Sequence, residues 1–440
     1  MLPGADPAPL AMTEDFVRLQ LLHCWLLAAT LTCAAPGLRA QPSAPPAGEL
    51  GATLKGVLDF VEARNPELRA MTFESDAARQ RLQGAGALPD PVIQMELRDI
   101  PFSEPTLSPA NAGNTRYALR QMYPLGGKRE LRREIAAAEA SVADAKRGAA
   151  IAETRMRTKV AYSQYWYAAQ AQRVTNGLRA LMADLEQVAR SRYGSGLTPQ
   201  QDVIKAQTEL TSLRTDLVML GSERRQAAAR LNGVLSRPAD AALADPRELR
   251  PLPSRAFDFA SLVKAAGDRS PTLAMNSAQI AAAERNAQLM RASRIPDLGV
   301  GLAVIQQGTR LTDYEVMLEV NIPWQTDVIR AGVNEAQAMS DAAAARRDAT
   351  AAQLQSELGQ NWAALDALRE QGEIVRSTLL PQVQLTFESA LSSYQSGRVD
   401  FSTLLDAQRQ VRRTQLDLLK IELEQQMRLA EIERIVGEDL

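Results

Sequence analysis

The side chains best suited to catalysis or metal ligation are confined to the first 40 positions: the only histidine, His23, and both cysteines, Cys24 and Cys33. If that segment is removed, the mature chain has no imidazole and no thiol. A Cys/His zinc site, a thiol nucleophile and an imidazole general base are then all excluded. Carboxylate-only chemistry remains, and nothing in the sequence points to it. The expectation is a protein that is not an enzyme, with no cofactor and no metal site. A cysteine-free mature chain also suits an oxidising compartment, where stray thiols cross-link.

The leader has the marks of an export signal. Arg18 precedes an apolar run from Leu19 to Leu31, interrupted by His23, and Leu38-Arg39-Ala40 offers a small residue before a cut at Gln41. Residues 1–40 are therefore read as a cleaved signal peptide, with Met12 as an alternative start, and 41–53 as an extended Pro/Ala-rich segment. Cys33 follows Thr30-Leu31-Thr32, so no lipid anchor is expected. The 50 basic and 52 acidic residues give a net charge of −2, without the basic stripe that nucleic acid requires. No later segment has 18 consecutive apolar residues, which leaves a β-barrel as the only way into a membrane.

The chain repeats with a period near 200 residues. Asn65-Pro66-Glu67-Leu68 answers Ser270-Pro271-Thr272-Leu273, Pro89-Asp90 answers Pro296-Asp297, and Tyr193-Gly194-Ser195-Gly196 answers Tyr394-Gln395-Ser396-Gly397. A period this long indicates a duplicated half rather than a solenoid unit. The halves are placed at 54–235 and 261–440, joined by a Pro-rich connector at 236–260 that is expected to wrap the outside as an equatorial belt. Each half reads as a helix, two short strands, a very long helix, a tight turn and a return helix.

Strands are expected at Val92–Arg98, Thr115–Tyr123, Leu298–Gln306 and Tyr314–Ile322, each alternating between an apolar and a mostly polar face. Four strands cannot close a membrane barrel, so a four-strand protomer implies assembly. The long helices, Gly127–Arg192 and Asp327–Tyr394, contain only Pro381 as a breaker. Their heptad positions are often alanine, as at Ala138, Ala145, Ala149 and Ala152, and the return helices carry seams at Val203 to Leu220 and Leu404 to Ile421. Such helices need neighbours. A periplasmic coiled-coil adaptor or structural spacer would show the same seams, but it should lack four alternating strands and two tip turns.

From about Leu54 to the C-terminus the chain resembles the TolC family of outer-membrane factors. Gly196-Leu197-Thr198-Pro199-Gln200-Gln201-Asp202-Val203 is similar to the family's first helix-to-helix turn. Tyr394-Gln395-Ser396-Gly397, followed by Leu404-Leu405-Asp406-Ala407, is similar to the second. Tyr123-Pro124-Leu125-Gly126-Gly127-Lys128-Arg129 resembles the strand exit of the heavy-metal branch, the CzcC-like and CusC-like partners of resistance-nodulation-division pumps.

The resemblance implies a mainly α protein with a membrane β-barrel: a homotrimer whose strands make one 12-stranded barrel, continued by a long α-helical barrel across the periplasm. It implies a passive duct in the outer-membrane lipid that docks a periplasmic adaptor and an inner-membrane pump. Heavy-metal cations are the implied cargo, with drug efflux or type I protein secretion as the alternative. Adaptor docking falls to the tips, at Tyr193, Gly194, Gly196, Leu197, Tyr394, Gly397 and Arg398, and the strand-to-helix elbow to Pro124, Gly126 and Gly127. The gate falls to Asp202 and Asp406. The sequence departs from the family at Thr403, where a further aspartate is expected, and at Val399, where a gate-tying arginine is expected.

Overall fold

The computed structural model describes residues 49–440 apart from 101, 104 and 254–256. The signal peptide, with His23, Cys24 and Cys33, and the stretch 41–48 lie outside the described residues.

Each half opens with two helices where one was expected. In the first half these are α1 (Leu54–Arg64) and α2 (Pro66–Gly84), and in the second α5 (Phe259–Arg269) and α6 (Pro271–Ala292). The breaks fall at the Asn65-Pro66 and Ser270-Pro271 pairs, because a residue before proline is pushed out of the helical region; ψ is 123° at Asn65 and 120° at Ser270. Asn65 also caps α2, its Oδ1 accepting from the N–H of Glu67 at 2.8 Å and of Leu68 at 3.3 Å.

Strands β1 (Val92–Arg98), β2 (Asn114–Tyr123), β3 (Asp297–Gln307) and β4 (Arg310–Asn321) form one antiparallel sheet in the order β1-β2-β3-β4. Strand β4 begins four residues earlier than expected and ends before Ile322. The cause is a two-residue hairpin turn at Gly308-Thr309, where Gly308 takes φ 59° and Gln307 already pairs with Arg310. The central β2–β3 pairing joins the two halves, and β1 and β4 are left as edges.

The long helix α3 (Lys128–Gly194) has 67 residues, about 100 Å of axis at 1.5 Å per residue. It returns as α4 (Gln200–Val234). Its counterpart is α7 (Thr326–Ile374), continued through a π-helical turn (Val375–Leu379) into α8 (Leu380–Gln395) and returning as α9 (Phe401–Val436). The π turn ends two residues before Pro381, which has no N–H and whose ring collides with the carbonyl four residues back in a regular helix; the wider turn relieves that collision.

Three apolar clusters hold the helices. One packs α1 on α3 and α4 through Val57, Val61, Tyr162, Tyr165 and Leu231. Its counterpart packs α5 on α7 and α9 through Leu262, Leu358, Leu365, Leu429 and Ile432. The third joins the two far ends, described below. The seam expected from Leu131 to Met156 is only half-buried, whereas Ala136, Ala140, Thr154 and Thr158 are fully buried. The α9 seam at Leu404, Ala407, Val411 and Thr414 is buried as read.

The connector has no regular structure from Ala241 to Pro253 and lies along these clusters. Ala244 N–H donates to Leu50 O at 2.8 Å and Arg247 N–H to Ala52 O at 3.0 Å. The Tyr162 hydroxyl donates to Glu248 O at 3.0 Å, and Gln426 Nε2 to Arg250 O at 2.9 Å.

Candidate conduit: sheet, elbow and helical tips

The sheet is inverted relative to a soluble domain. Its apolar face, with Ile93 (81% exposed), Leu302, Tyr314, Val316 (73%) and Leu318 (70%), is uncovered. The opposite face carries Glu96, Arg98, Arg116, Arg120, Glu315 and Glu319. Contiguous exposed apolar surface of this kind marks a membrane or partner surface. Tyr123 and Trp324, exposed where the sheet meets the helices, are the residue types that gather at membrane interfaces.

At the strand exit, Gly126 and Gly127 adopt φ 70° and 73°. A Cβ on Gly126 would stand 2.4 Å from Ile295 Cδ1 and 3.1 Å from its Cβ, so a larger residue must displace Ile295 as well as adopt a left-handed backbone. Two residues that sequence reading did not assign complete the elbow. Lys128 Nζ donates to Asp297 Oδ1 at 2.8 Å and to Ile295 O at 2.6 Å, and Leu125 N–H donates to the same Asp297 oxygen at 3.1 Å. Asp297 belongs to the repeated Pro-Asp motif, which was the available signal.

Both tips close in the same way. Leu197 N–H bonds Arg192 O and Gly196 N–H bonds Tyr193 O, each at 2.9 Å; Arg398 N–H bonds Ser393 O at 2.8 Å and Gly397 N–H bonds Tyr394 O at 3.0 Å. This is the Schellman pattern, with Gly196 (φ 72°) and Gly397 (φ 74°) in the left-handed position. Tyr193 and Leu197 are exposed beside Gly194 and Gly196.

Tyr394, expected on the docking surface, is 1% exposed. It packs edge-on against Phe401 at 5.4 Å and lies under the Arg192 guanidinium at 5.1 Å. The physical reason is the third apolar cluster, which fuses both tips through Met182, Leu185, Leu213, Tyr394, Phe401 and Leu404. Val399 packs against the same cluster.

Asp202 and Asp406, the two aspartates expected at a gate, stand in different environments. Asp202 is 6% exposed, beneath the tips. Burial lifts its carboxyl above the ordinary range, with Lys205 pulling the other way and Asp400 adding to the rise. Asp406 is exposed, with Arg409 at 3.8 Å. Thr403 is a capping partner: its hydroxyl and N–H both donate to Asp400 Oδ1, at 2.7 and 3.1 Å, and hold that carboxyl below the ordinary range.

Sequence reading missed the ties between the return helices. Arg409 Nη2 donates to the buried Glu209 at 2.7 Å, Arg412 Nη1 to Asp216 at 2.6 Å, and Lys205 to the Ser402 hydroxyl. Near the connector, Glu433 accepts from Lys159 at 2.7 Å and from two nitrogens of Arg250 at 2.7 and 2.8 Å. The C-terminal Leu440 N–H reaches the same carboxylate at 2.9 Å.

Residues 57–237 and 262–438 match the family model described as outer membrane efflux protein. The cobalt-zinc-cadmium resistance protein CzcC of Cupriavidus metallidurans is 22% identical over 393 residues, spanning 88% of this chain and 90% of that protein. The chain is also similar to solved structures of CusC (TM-score 0.73, 14% identity, 88% of this chain and 92% of that one). The open state of the Neisseria gonorrhoeae MtrE outer membrane channel is equally similar (TM-score 0.73, 17% identity, 91% and 94%). These structures share its fold, and the family match runs through both halves. The chain belongs to the outer membrane efflux protein family.

Proposed function

We propose that three copies of the chain close one barrel and form the passive exit duct of a tripartite efflux system, with heavy-metal cations as cargo. The observation that carries this reading is the sheet: four strands, two free edges and an exposed apolar face, joined to helices about 100 Å long. Strands of neighbouring copies satisfy the free edges, and lipid covers the apolar face. A periplasmic adaptor and a resistance-nodulation-division pump dock at the tips, on Tyr193, Gly194, Gly196, Leu197, Gly397 and Arg398. The metal cargo is supported by the likeness to CzcC and by the Tyr123–Arg129 stretch.

Conduction needs no reacting group, only a path and a gate. Asp406, exposed, repeats around the three-fold axis as a ring that favours cations. Asp202, buried, acts on the gate through packing of the tips. The ties Glu209–Arg409 and Asp216–Arg412 hold the return helices together in the closed state.

The test is cellular metal content. A strain lacking this chain should retain more cobalt, zinc or cadmium than its parent, and lose the excess when the chain is restored. Unchanged metal content with increased retention of a drug or secreted protein would contradict the metal reading and favour the alternative duct.

A further inference from the structure

The polar face of the sheet has a regular arrangement that the duct role does not itself require. Register sets Arg116 on β2 level with Ile305 and Asp313, and Glu315 on β4 level with Ala303. Arg116 therefore reaches diagonally over the whole of β3, and its Nε donates to Glu315 Oε2 at 2.7 Å. One step along the sheet, Arg120 is level with Gly301 and Glu319 with Gly299, and Arg120 Nη1 donates to Glu319 Oε2 at 2.8 Å. On β1, Arg98 Nη2 donates to Glu96 at 2.7 Å, and Glu96 stands directly opposite Arg116.

The residues beneath these rungs are the smallest available: Gly299, Gly301 and Ala303. They leave no room to spare. A Cβ on Gly299 would lie 2.8 Å from Met122 Sδ and 3.1 Å from Glu319 Cβ, and one on Gly301 would lie 3.2 Å from Leu119 O. Alternate strand positions share a face. Met122, Met317 and Glu319 close over the two glycines, and Arg116 and Arg120 reach past β3 to the carboxylates on β4.

We infer that Arg116 and Arg120 cover the charges of Glu315 and Glu319 and so keep these carboxylates from imposing cation selectivity on the barrel wall. The inference rests on the duct reading, in which this face lines the lumen. Left uncovered, the two glutamates would repeat around the three-fold axis as stacked carboxylate rings, and such rings attract cations. Covered, they leave the choice of ion to the periplasmic end, where Asp406 is exposed.

The experiment compares wild-type trimers with R116Q/R120Q, E315Q/E319Q and the quadruple glutamine variant in planar bilayers across a KCl gradient. Salt is kept near 0.01 M, where the screening length is about 30 Å against about 10 Å at 0.1 M. R116Q/R120Q should raise the potassium-to-chloride permeability ratio about threefold or more. E315Q/E319Q should shift it the opposite way, and the quadruple variant should return to the wild-type value. Binding of Mn2+ to folded trimers, followed by its paramagnetic signal, reads the same charges without passing the gate. R116Q/R120Q should bind more Mn2+ than wild type, and the quadruple variant should not. A conducting wild-type channel with selectivity unmoved in both double variants, and equal Mn2+ binding throughout, overturns the inference while leaving the duct reading intact. A wild-type protein recovered from membranes only as a monomer, with no closed wall for these charges to line, defeats both.

Discussion

Lys128 Nζ stands 2.8 Å from Asp297 Oδ1, and this pair fixes how the helices leave the sheet. It binds the first residue of α3 to the first residue of β3, so one ion pair sets the exit of one half against the entry of the other. Lys128 is buried and Asp297 is one-quarter exposed, which makes the pair costly to break from one side.

Lys128→Met should destabilise the elbow by about 2 kcal/mol, the loss of a charge-assisted hydrogen bond that leaves a carboxylate short of a partner. The check is the melting of heat-modifiable oligomer, which should shift down. Gly126→Val should do more, because it adds a Cβ 2.4 Å from Ile295 Cδ1 at a positive φ. Oligomer stability unchanged in both variants would show that the elbow is not set here.

Gly397→Val places a β-branched residue at φ 74°, at a cost of about 1–2 kcal/mol confined to the tip. The trimer should survive, while cross-linking to the adaptor and metal efflux should both fall. Full efflux from an intact trimer would reduce Gly397 to a helix cap with no partner.

The tip should be tighter in mild acid. Asp202 is lifted by burial above its unfolded value, so the folded state holds the proton more strongly. Its contribution is full below the ordinary carboxylate range and is lost as pH rises through the lifted value. Asp400, lowered by Thr403, has the opposite sign: its contribution is present above the ordinary range and is lost as pH falls through the lowered value. Hydrogen-exchange protection of residues 190–210, corrected for intrinsic rates, should fall with rising pH in wild type and lose that dependence in Asp202→Asn. An unchanged pH profile in the variant would place the titration elsewhere.

Lys159→Met removes the buried partner of Glu433, whose side chain is only 3% exposed. Arg250 remains, so the loss should be about 3 kcal/mol, at the lower end for breaking a buried pair. Chemical denaturation should report it. A variant as stable as wild type would mean that Arg250 alone satisfies the carboxylate.

The strands were legible because alternation survives in a membrane sheet, and Ile93, Met95 and Leu97 alternate with polar residues without a break. The tip glycines were legible because both turns close through a left-handed residue, which glycine adopts without strain. What stayed hidden depends on long-range pairing. Lys128–Asp297 spans 169 residues and Glu209–Arg409 spans 200, and no local periodicity links such positions, although the second separation equals the repeat period. The burial of Tyr394 was hidden because a tyrosine beside a turn looks exposed until the other tip packs over it. The double helix start of each half was hidden in plain motifs, Asn65-Pro66 and Ser270-Pro271, whose restriction on the preceding residue outweighs helical periodicity.

The proposed duct needs several copies of this chain, since the four strands of one protomer leave two edges unpaired. Native mass measurement of protein extracted from outer membranes tests it most directly. One dominant species at the mass of a trimer is expected, giving twelve strands and no free edge. A stable monomer in detergent with its sheet intact would contradict it.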